Sequence, residues 1–182
     1  MKKTSYGSGV YSLENFLSEQ ECLNYINMSE GIGYEDAMII TREGAKIIKE
    51  VRNNDRVIFD NQSLADTLFN KIKPFLPEQW EGWQLVGLNE RFRFYRYTPE
   101  QYFKWHKDGN YCRNDKEISL LTLLMYLNDD FQGGETSFNW EVIKPVRGAA
   151  LIFPHRLTHQ GMPVISGIKY VLRTDIMFHD PY

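Results

Sequence analysis

Long apolar runs are missing from this chain, and no stretch of it reads as a helix able to cross a membrane. The N-terminus runs Met1-Lys-Lys-Thr-Ser-Tyr-Gly-Ser, basic at first but with no apolar segment behind it, so it does not read as a secretory signal. Cysteine is scarce. Only Cys22 and Cys112 occur, in unrelated contexts, and without a secretory signal they read as free thiols rather than a disulfide. A cytoplasmic protein is the expectation. An excess of positive charge is also absent: 21 Lys and Arg face 24 Asp and Glu, a formal net charge of −3. That leaves no electrostatic footprint for nucleic acid or an anionic membrane, and neither is expected as a partner. With no low-complexity linker and no internal repeat, residues 1–182 read as one domain, long enough to bury a core without staples.

What is present changes character along the chain. Ser18-Glu-Gln-Glu21 is a capping box that predicts a helix to about Met28, with Cys22, Leu23 and Ile26 on its apolar face. Ala37–Thr41 and Ala45–Lys49 flank Arg42-Glu-Gly44 as a hairpin, and Arg52-Asn-Asn-Asp-Arg56 reads as a polar loop. Ser63-Leu-Ala-Asp66 is expected to cap a second helix bearing Leu64, Leu68, Phe69 and Ile72, stopped by Pro74 and Pro77. Beyond Pro77, segments 84–88, 91–97, 101–106, 119–128, 135–138, 149–153 and 168–178 are rich in β-branched and aromatic residues between turn signals. Residues 91–97 alternate strictly, Phe92, Phe94 and Arg96 on one face and Arg93, Tyr95 and Tyr97 on the other. Two helices followed by many strands predict an α+β fold, the helices covering one sheet of a β-sandwich or barrel.

The chemistry-bearing residues are few. With four His in the chain, His106 and Asp108 in Tyr102-Phe-Lys-Trp-His-Lys-Asp108 share one face if that segment is a strand. His159 follows far downstream in Phe153-Pro-His-Arg-Leu-Thr-His159, where an enclosed β architecture would bring it alongside. Two imidazoles and one carboxylate, with metal positions left open, make the facial triad of non-haem Fe(II) oxygenases. His155 and His159 stand four apart like a helical metal pair, but Pro154 and the strand-like run before it argue against a helix, so His155 is expected behind the site or at the surface. His179 reads as solvated. Gly133-Gly134 is too short for a phosphate loop and reads as a tight turn launching a strand. Arg52, Arg56, Lys46 and Lys49 read as a solvated basic face that could rim a site.

Three separated motifs keep the order and spacing of a known family. They are Tyr97-Thr-Pro-Glu-Gln-Tyr-Phe-Lys-Trp-His106-Lys-Asp108, then Tyr126-Leu-Asn-Asp-Asp-Phe-Gln-Gly-Gly-Glu-Thr136, then His159-Gln-Gly-Met-Pro-Val-Ile-Ser-Gly-Ile-Lys169. Over residues 90–178 the chain resembles the prolyl 4-hydroxylase-like branch of the 2-oxoglutarate/Fe(II) dioxygenases, and Phe16-Leu-Ser-Glu-Gln-Glu-Cys22 is similar to that family's first helix. The resemblance implies a double-stranded β-helix, or jelly-roll, with the catalytic core at about 84–178. It implies iron ligation by His106, Asp108 and His159, and a 2-oxoglutarate pocket with Tyr97, Tyr126 and the basic Lys169. Fe(II) would be the metal, 2-oxoglutarate and O₂ the cosubstrates, and ascorbate an auxiliary. The chain departs from the family where Asp175 replaces an aromatic residue. Arg173, on the face of Lys169 and Asp175, could then reach the cosubstrate or pair with an acidic neighbour; spacing ranks Lys169 first.

The expected activity is hydroxylation of an amino-acid side chain, prolyl above others, in a protein or peptide. Hydroxylation of a free amino acid or other small metabolite is the alternative on the same scaffold. A non-catalytic metal-binding jelly roll is a third reading, though it would have no use for a dicarboxylate pocket. Nucleic-acid repair on this general fold is disfavoured by the acidic balance. Oligomeric state is not legible.

Overall fold

The structure, a computed structural model, describes residues 1–41 and 44–182. In chain order it contains β1 (Lys2–Gly7), β2 (Val10–Glu14), α1 (Glu19–Ile32), β3 (Asp55–Asp60), α2 (Gln62–Ile72), β4 (Trp83–Leu88), β5 (Arg91–Tyr97) and β6 (Phe103–His106). There follow β7 (Glu117–Tyr126), β8 (Thr136–Phe138), β9 (Glu141–Ile143), β10 (Ala150–Pro154), β11 (His159–Gly161) and β12 (Lys169–His179). Strands of two or three residues fill some of the connections. The segments expected from composition after Pro77 match β4–β8, β10 and β12 with ends that move by at most two residues. The opening hairpin β1–β2 and the short β9 and β11 were not anticipated. Three residues offer too few alternations to read as a strand.

β1, β2, β10, β7, β12, β5 and β3 run in that order across the larger sheet, with β4 pairing the far end of β12. β6, β11, β8 and β9 form the smaller one. Tyr97, Tyr126, Phe138, Leu151, Phe153 and Val171 from both sheets share one buried cluster, so the sheets face each other across a core. This is the double-stranded β-helix that the motifs imply. The period of two sorts each long strand. On β7, Leu121, Leu123 and Met125 turn to the helices, leaving Thr122, Leu124 and Tyr126 for the inner face. β5 divides as expected, with Phe92 and Phe94 under the helices and Tyr95 and Tyr97 inside.

Both helices lie on the outer face of the larger sheet. Ser18 and Glu21 close the capping box of α1, and Cys22 and Ser29 are buried. The expected apolar face needs one correction: Leu23 is 45% exposed. The buried stripe runs 22, 25, 26, 29, one helical face, and Leu23 stands about 100° away from Cys22 around the axis. α2 is capped two residues earlier than expected, by Asn61, whose side chain accepts from the Leu64 N–H at 2.9 Å, rather than by Ser63. Ile39–Thr41 pairs with Gly44–Lys46, while Arg42 and Glu43, from which the turn was expected, lie outside the described residues. Both cysteines are free, Cys22 buried and Cys112 exposed. Among the described residues no helix is long and apolar enough to cross a membrane.

Leu123, with no exposed surface, packs between sheet and helices. Leu123→Ala is expected to cost about 2–5 kcal/mol and lower the melting temperature clearly. Leu23→Ala is expected to cost less than about 0.5 kcal/mol. Thermal melts of the two variants compare them directly; equal losses would contradict the facing of α1.

Candidate active site

His106 on β6 and His159 on β11 are direct cross-strand partners. Antiparallel pairing therefore sets two imidazoles side by side, ring centroids 4.2 Å apart. β6 ends at His106, so strand alternation does not reach Asp108, but the Asp108 N–H donates to the His155 carbonyl at 3.0 Å, which holds its side chain beside the two rings. One ligand atom from each of His106, Asp108 and His159 lies within 4.8 Å of the others. The His106 Nδ1 is 2.7 Å from the Lys104 carbonyl and the His159 Nδ1 is 3.0 Å from the Leu157 carbonyl. A carbonyl can only accept, so both Nδ1 atoms carry the proton and both Nε2 lone pairs are free. Each Nε2 is 3.8 Å from an Asp108 oxygen, too far for a hydrogen bond.

Electrostatics favour the ligating forms. Burial pushes His106 down to about 3 and lowers His159 as well, so both are neutral at pH 7. Burial works against ionisation of Asp108, but the Arg173 guanidinium outweighs it and holds the carboxyl below the usual range. Phe103 stacks on His106 at 3.4 Å between centroids, and Phe138 and Phe153 flank His159. An anion and two lone pairs converging behind aromatic walls fit a divalent cation, and this donor set with open positions suits Fe(II).

Lys169 opens β12 directly opposite Tyr97. It is 3% exposed, and its Nζ donates to the Gly134 carbonyl at 2.7 Å while lying 5.0 Å from the Tyr97 ring and 5.8 Å from that of Tyr126. Among the described residues no carboxylate pairs with it, and burial pushes it down to about 8. Gly133 and Gly134 both take positive φ, 75° and 68°, but in place of the expected tight turn Gln132–Gly133 pairs with Val164–Ser166 across a register shift; a Cβ on Gly133 would meet the Pro163 carbonyl at 2.5 Å. Tyr126 donates to Thr136 Oγ1 at 2.8 Å, and burial raises Tyr97 to about 12, so both phenols keep their protons. Tyr97, Lys169 and the three triad residues line one cavity together with Arg173.

Arg173 takes both of the roles left open for it only in part. Its Nη1 is 2.9 Å from Asp108 and its Nη2 3.0 Å from Asp175, so it meets acidic neighbours while facing the cavity. Arg52 corrects the expectation of a solvated face. It is 5% exposed, packed against Tyr95 and Phe103 at 4.4 and 4.5 Å, and bonded through Nε to Asn54. Burial would raise the Tyr95 phenol, but Arg173, Arg52 and Arg93 around it bring it below its ordinary value, a sign of a strongly cationic interior. His155 is buried just behind Asp108 rather than at the surface, and His179 is half-buried at the end of β12 rather than solvated. Thr122, bonded to Asp108, is a site residue that motif reading passed over; its place four residues before Tyr126 on one strand face was the available signal.

Comparison with known proteins agrees with this geometry. Residues 92–174 match the model of the 2OG-Fe(II) oxygenase superfamily. A putative prolyl 4-hydroxylase of Acanthamoeba polyphaga mimivirus is 28% identical over 88% of this chain and 71% of its own length. The viral collagen prolyl hydroxylase of Paramecium Bursaria Chlorella virus-1, solved as a 2OG complex, is 28% identical with a TM-score of 0.69, covering 94% of this chain and 97% of that one. A Trichoplax adhaerens prolyl hydroxylase in complex with a hypoxia inducible factor peptide fragment shares the fold, with a TM-score of 0.71 at 16% identity over 95% of this chain and 84% of that one. Over residues 92–174 the chain is thus similar to the 2OG-Fe(II) oxygenases, and over most of its length to prolyl 4-hydroxylases.

Proposed function

We propose that this chain is an Fe(II)- and 2-oxoglutarate-dependent dioxygenase that hydroxylates prolyl residues in a protein or peptide, residues 1–182 acting as one domain with its catalytic core at about 84–178. The carrying observation is that three metal donors and a buried lysine lacking a carboxylate partner among the described residues share a single cavity. His106, Asp108 and His159 would hold the metal. Lys169 would meet the far carboxylate of 2-oxoglutarate, with Tyr97 and Tyr126 beside it; a buried ammonium with one neutral acceptor is costly until an anion joins it. Arg173 is already engaged by two carboxylates, which leaves Lys169 as the better anchor. When bound, Fe(II) with 2-oxoglutarate and O₂ supplies the oxidising power that converts a C–H bond to C–OH, with succinate and CO₂ as co-products. The protein's own part is to keep both imidazoles neutral, hold Asp108 ionised, orient the dianion and exclude water behind Phe103, Phe138 and Phe153.

A peptide substrate is favoured by the mouth of the cavity and by the relatives' substrates. Segment 51–53 lies against β6: the Lys104 N–H donates to the Val51 carbonyl, and the Tyr102 N–H to Asn53 Oδ1. The buried Arg52 Nη2 and Arg173 Nε are left without hydrogen-bond partners among the described residues. Such donors suit the backbone carbonyls of an extended chain. An ascorbate auxiliary and a cytoplasmic location belong to the same reading.

Three outcomes test it. His106→Ala, Asp108→Ala and His159→Ala should each abolish Co(II) binding followed by absorption titration, whereas Lys169→Ala should retain it; retained metal in any triad variant overturns that ligand. For Lys169 the ammonium form does the pairing, so affinity for 2-oxoglutarate should hold below about pH 8 and weaken about tenfold per pH unit above it. Lys169→Ala should weaken that affinity about 10- to 100-fold and flatten the pH dependence, read by anaerobic titration of the Fe(II) enzyme. Finally, proline-containing peptides should stimulate 2-oxoglutarate decarboxylation more than free proline, with a +oxygen product peptide in the mass spectrum. Strong coupling to free amino acids and none to peptides would establish the small-metabolite alternative instead.

A further inference from the structure

Behind the triad lies a run of buried polar side chains that metal ligation alone does not account for. Thr122, on β7, stands across from Phe153 of β10 and Asp175 of β12, with no exposed surface. Its Oγ1 donates to Asp108 Oδ2 at 2.6 Å and lies 2.8 Å from His155 Nδ1. On the far side of that ring, His155 Nε2 is 2.9 Å from Ser119 Oγ, which accepts from the Tyr111 N–H at 2.8 Å. His155 is 2% exposed and Ser119 fully buried. The other Asp108 oxygen, Oδ1, takes Arg173 Nη1 at 2.9 Å. Asp175 steadies that guanidinium at 3.0 Å and is itself held by Arg93 at 3.1 Å and Asn89 at 3.4 Å.

Counting protons gives the chain a direction. A carboxylate only accepts, so the single Thr122 hydroxyl proton goes to Asp108. Thr122 Oγ1 must then accept from His155, which places the proton on Nδ1 and leaves Nε2 as an acceptor. Ser119 must donate its hydroxyl proton to that Nε2, and its oxygen is free to accept from the Tyr111 N–H. Each hydroxyl and the ring donate once and accept once, all running toward Asp108. With Asp108 a carboxylate and one proton on the ring, reversal at either ring link would set two buried acceptors face to face with no proton between them.

We propose that His155 and Thr122, through this one-way hydrogen-bond chain, together with the Arg173–Asp175 clamp, are positioning residues that fix the orientation of Asp108 for metal binding. The inference rests on the reading of Asp108 as a metal ligand. Thr122 holds one carboxylate oxygen and Arg173 the other, so the side chain cannot rotate without breaking a charge-assisted bond. Groups of this kind typically set ligand orientation, and their loss weakens metal binding about 10- to 100-fold.

The test uses the whole chain and Co(II), whose affinity and d–d absorption report the ligand field without turnover. Thr122→Val removes the hydroxyl at nearly constant shape and should weaken Co(II) about 10- to 100-fold with an altered d–d spectrum, while Thr122→Ser should stay within about threefold of the parent. His155→Asn keeps an N–H near the Nδ1 position and should bind nearly as the parent does; His155→Leu, which fills the space but cannot donate, should behave like Thr122→Val. A merely space-filling His155 would be replaced by Leu at least as well as by Asn, and that result overturns the proposal. Should His155→Leu fail to fold in a thermal melt, the Thr122 pair decides alone: equal Co(II) affinity and equal spectra for Val and Ser refute the chain. Asp108→Ala separates the two levels. Full Co(II) binding in Asp108→Ala sinks the triad reading itself, whereas its loss alongside an unperturbed Thr122→Val sinks only the positioning role.

Discussion

A carboxylate with 4% of its side chain exposed, set between two neutral imidazoles, cannot persist without compensation, and the site is organised around supplying it to Asp108. Compensation comes from two directions. Arg173 answers one oxygen and Thr122 the other, while the Asp108 backbone N–H, bound to the His155 carbonyl, fixes where the carboxylate is presented. The two Nε2 lone pairs add nothing favourable until a cation arrives. Both imidazoles and the carboxylate are thus fixed by the protein's own hydrogen bonds, which is the sense in which the site is preorganised.

Sheet geometry supplies the rest. Cross-strand registry alone aligns His106 with His159 and Lys169 with Tyr97, so two contacts of the candidate site arise from hydrogen-bond ladders rather than from loop conformation. The cavity holds Lys169 and Arg173, with Arg52 and Arg93 close by, so its interior potential is positive although the chain carries net negative charge. A small dianion is attracted to such a place. Net charge did not report this, because it sums the surface with the interior.

The elements legible in the sequence were those with long periods or capping chemistry: the box at Ser18, the alternation of 91–97, and the long strands β7 and β12. The triad residues, Tyr97, Tyr126 and Lys169 were implied by the family resemblance of their motifs, and the structure brings all six into one region. Short strands were not, since three residues carry almost no periodic signal. Arg52 was misread because a run of Arg, Asn and Asp looks solvated until the Phe103 bridge and the aromatic faces of Tyr95 and Phe103 cover it. The contact between His155 and Thr122 was out of reach for a different reason. Their meaning lies in a contact between three strands, and no local pattern encodes which hydroxyl will meet which ring.

Strand β12 places Lys169, Val171, Arg173 and Asp175 on its inner face, with Leu172 and Ile176 on the helix side. A gain or loss of one residue within it would exchange the two sets for everything beyond the change, driving charges into the apolar layer and aliphatic side chains into the cavity. The strand is thus open to change by substitution and closed to change in length, whereas the connections at the cavity mouth carry no such parity. Divergence in what this scaffold accepts has to be written in those connections.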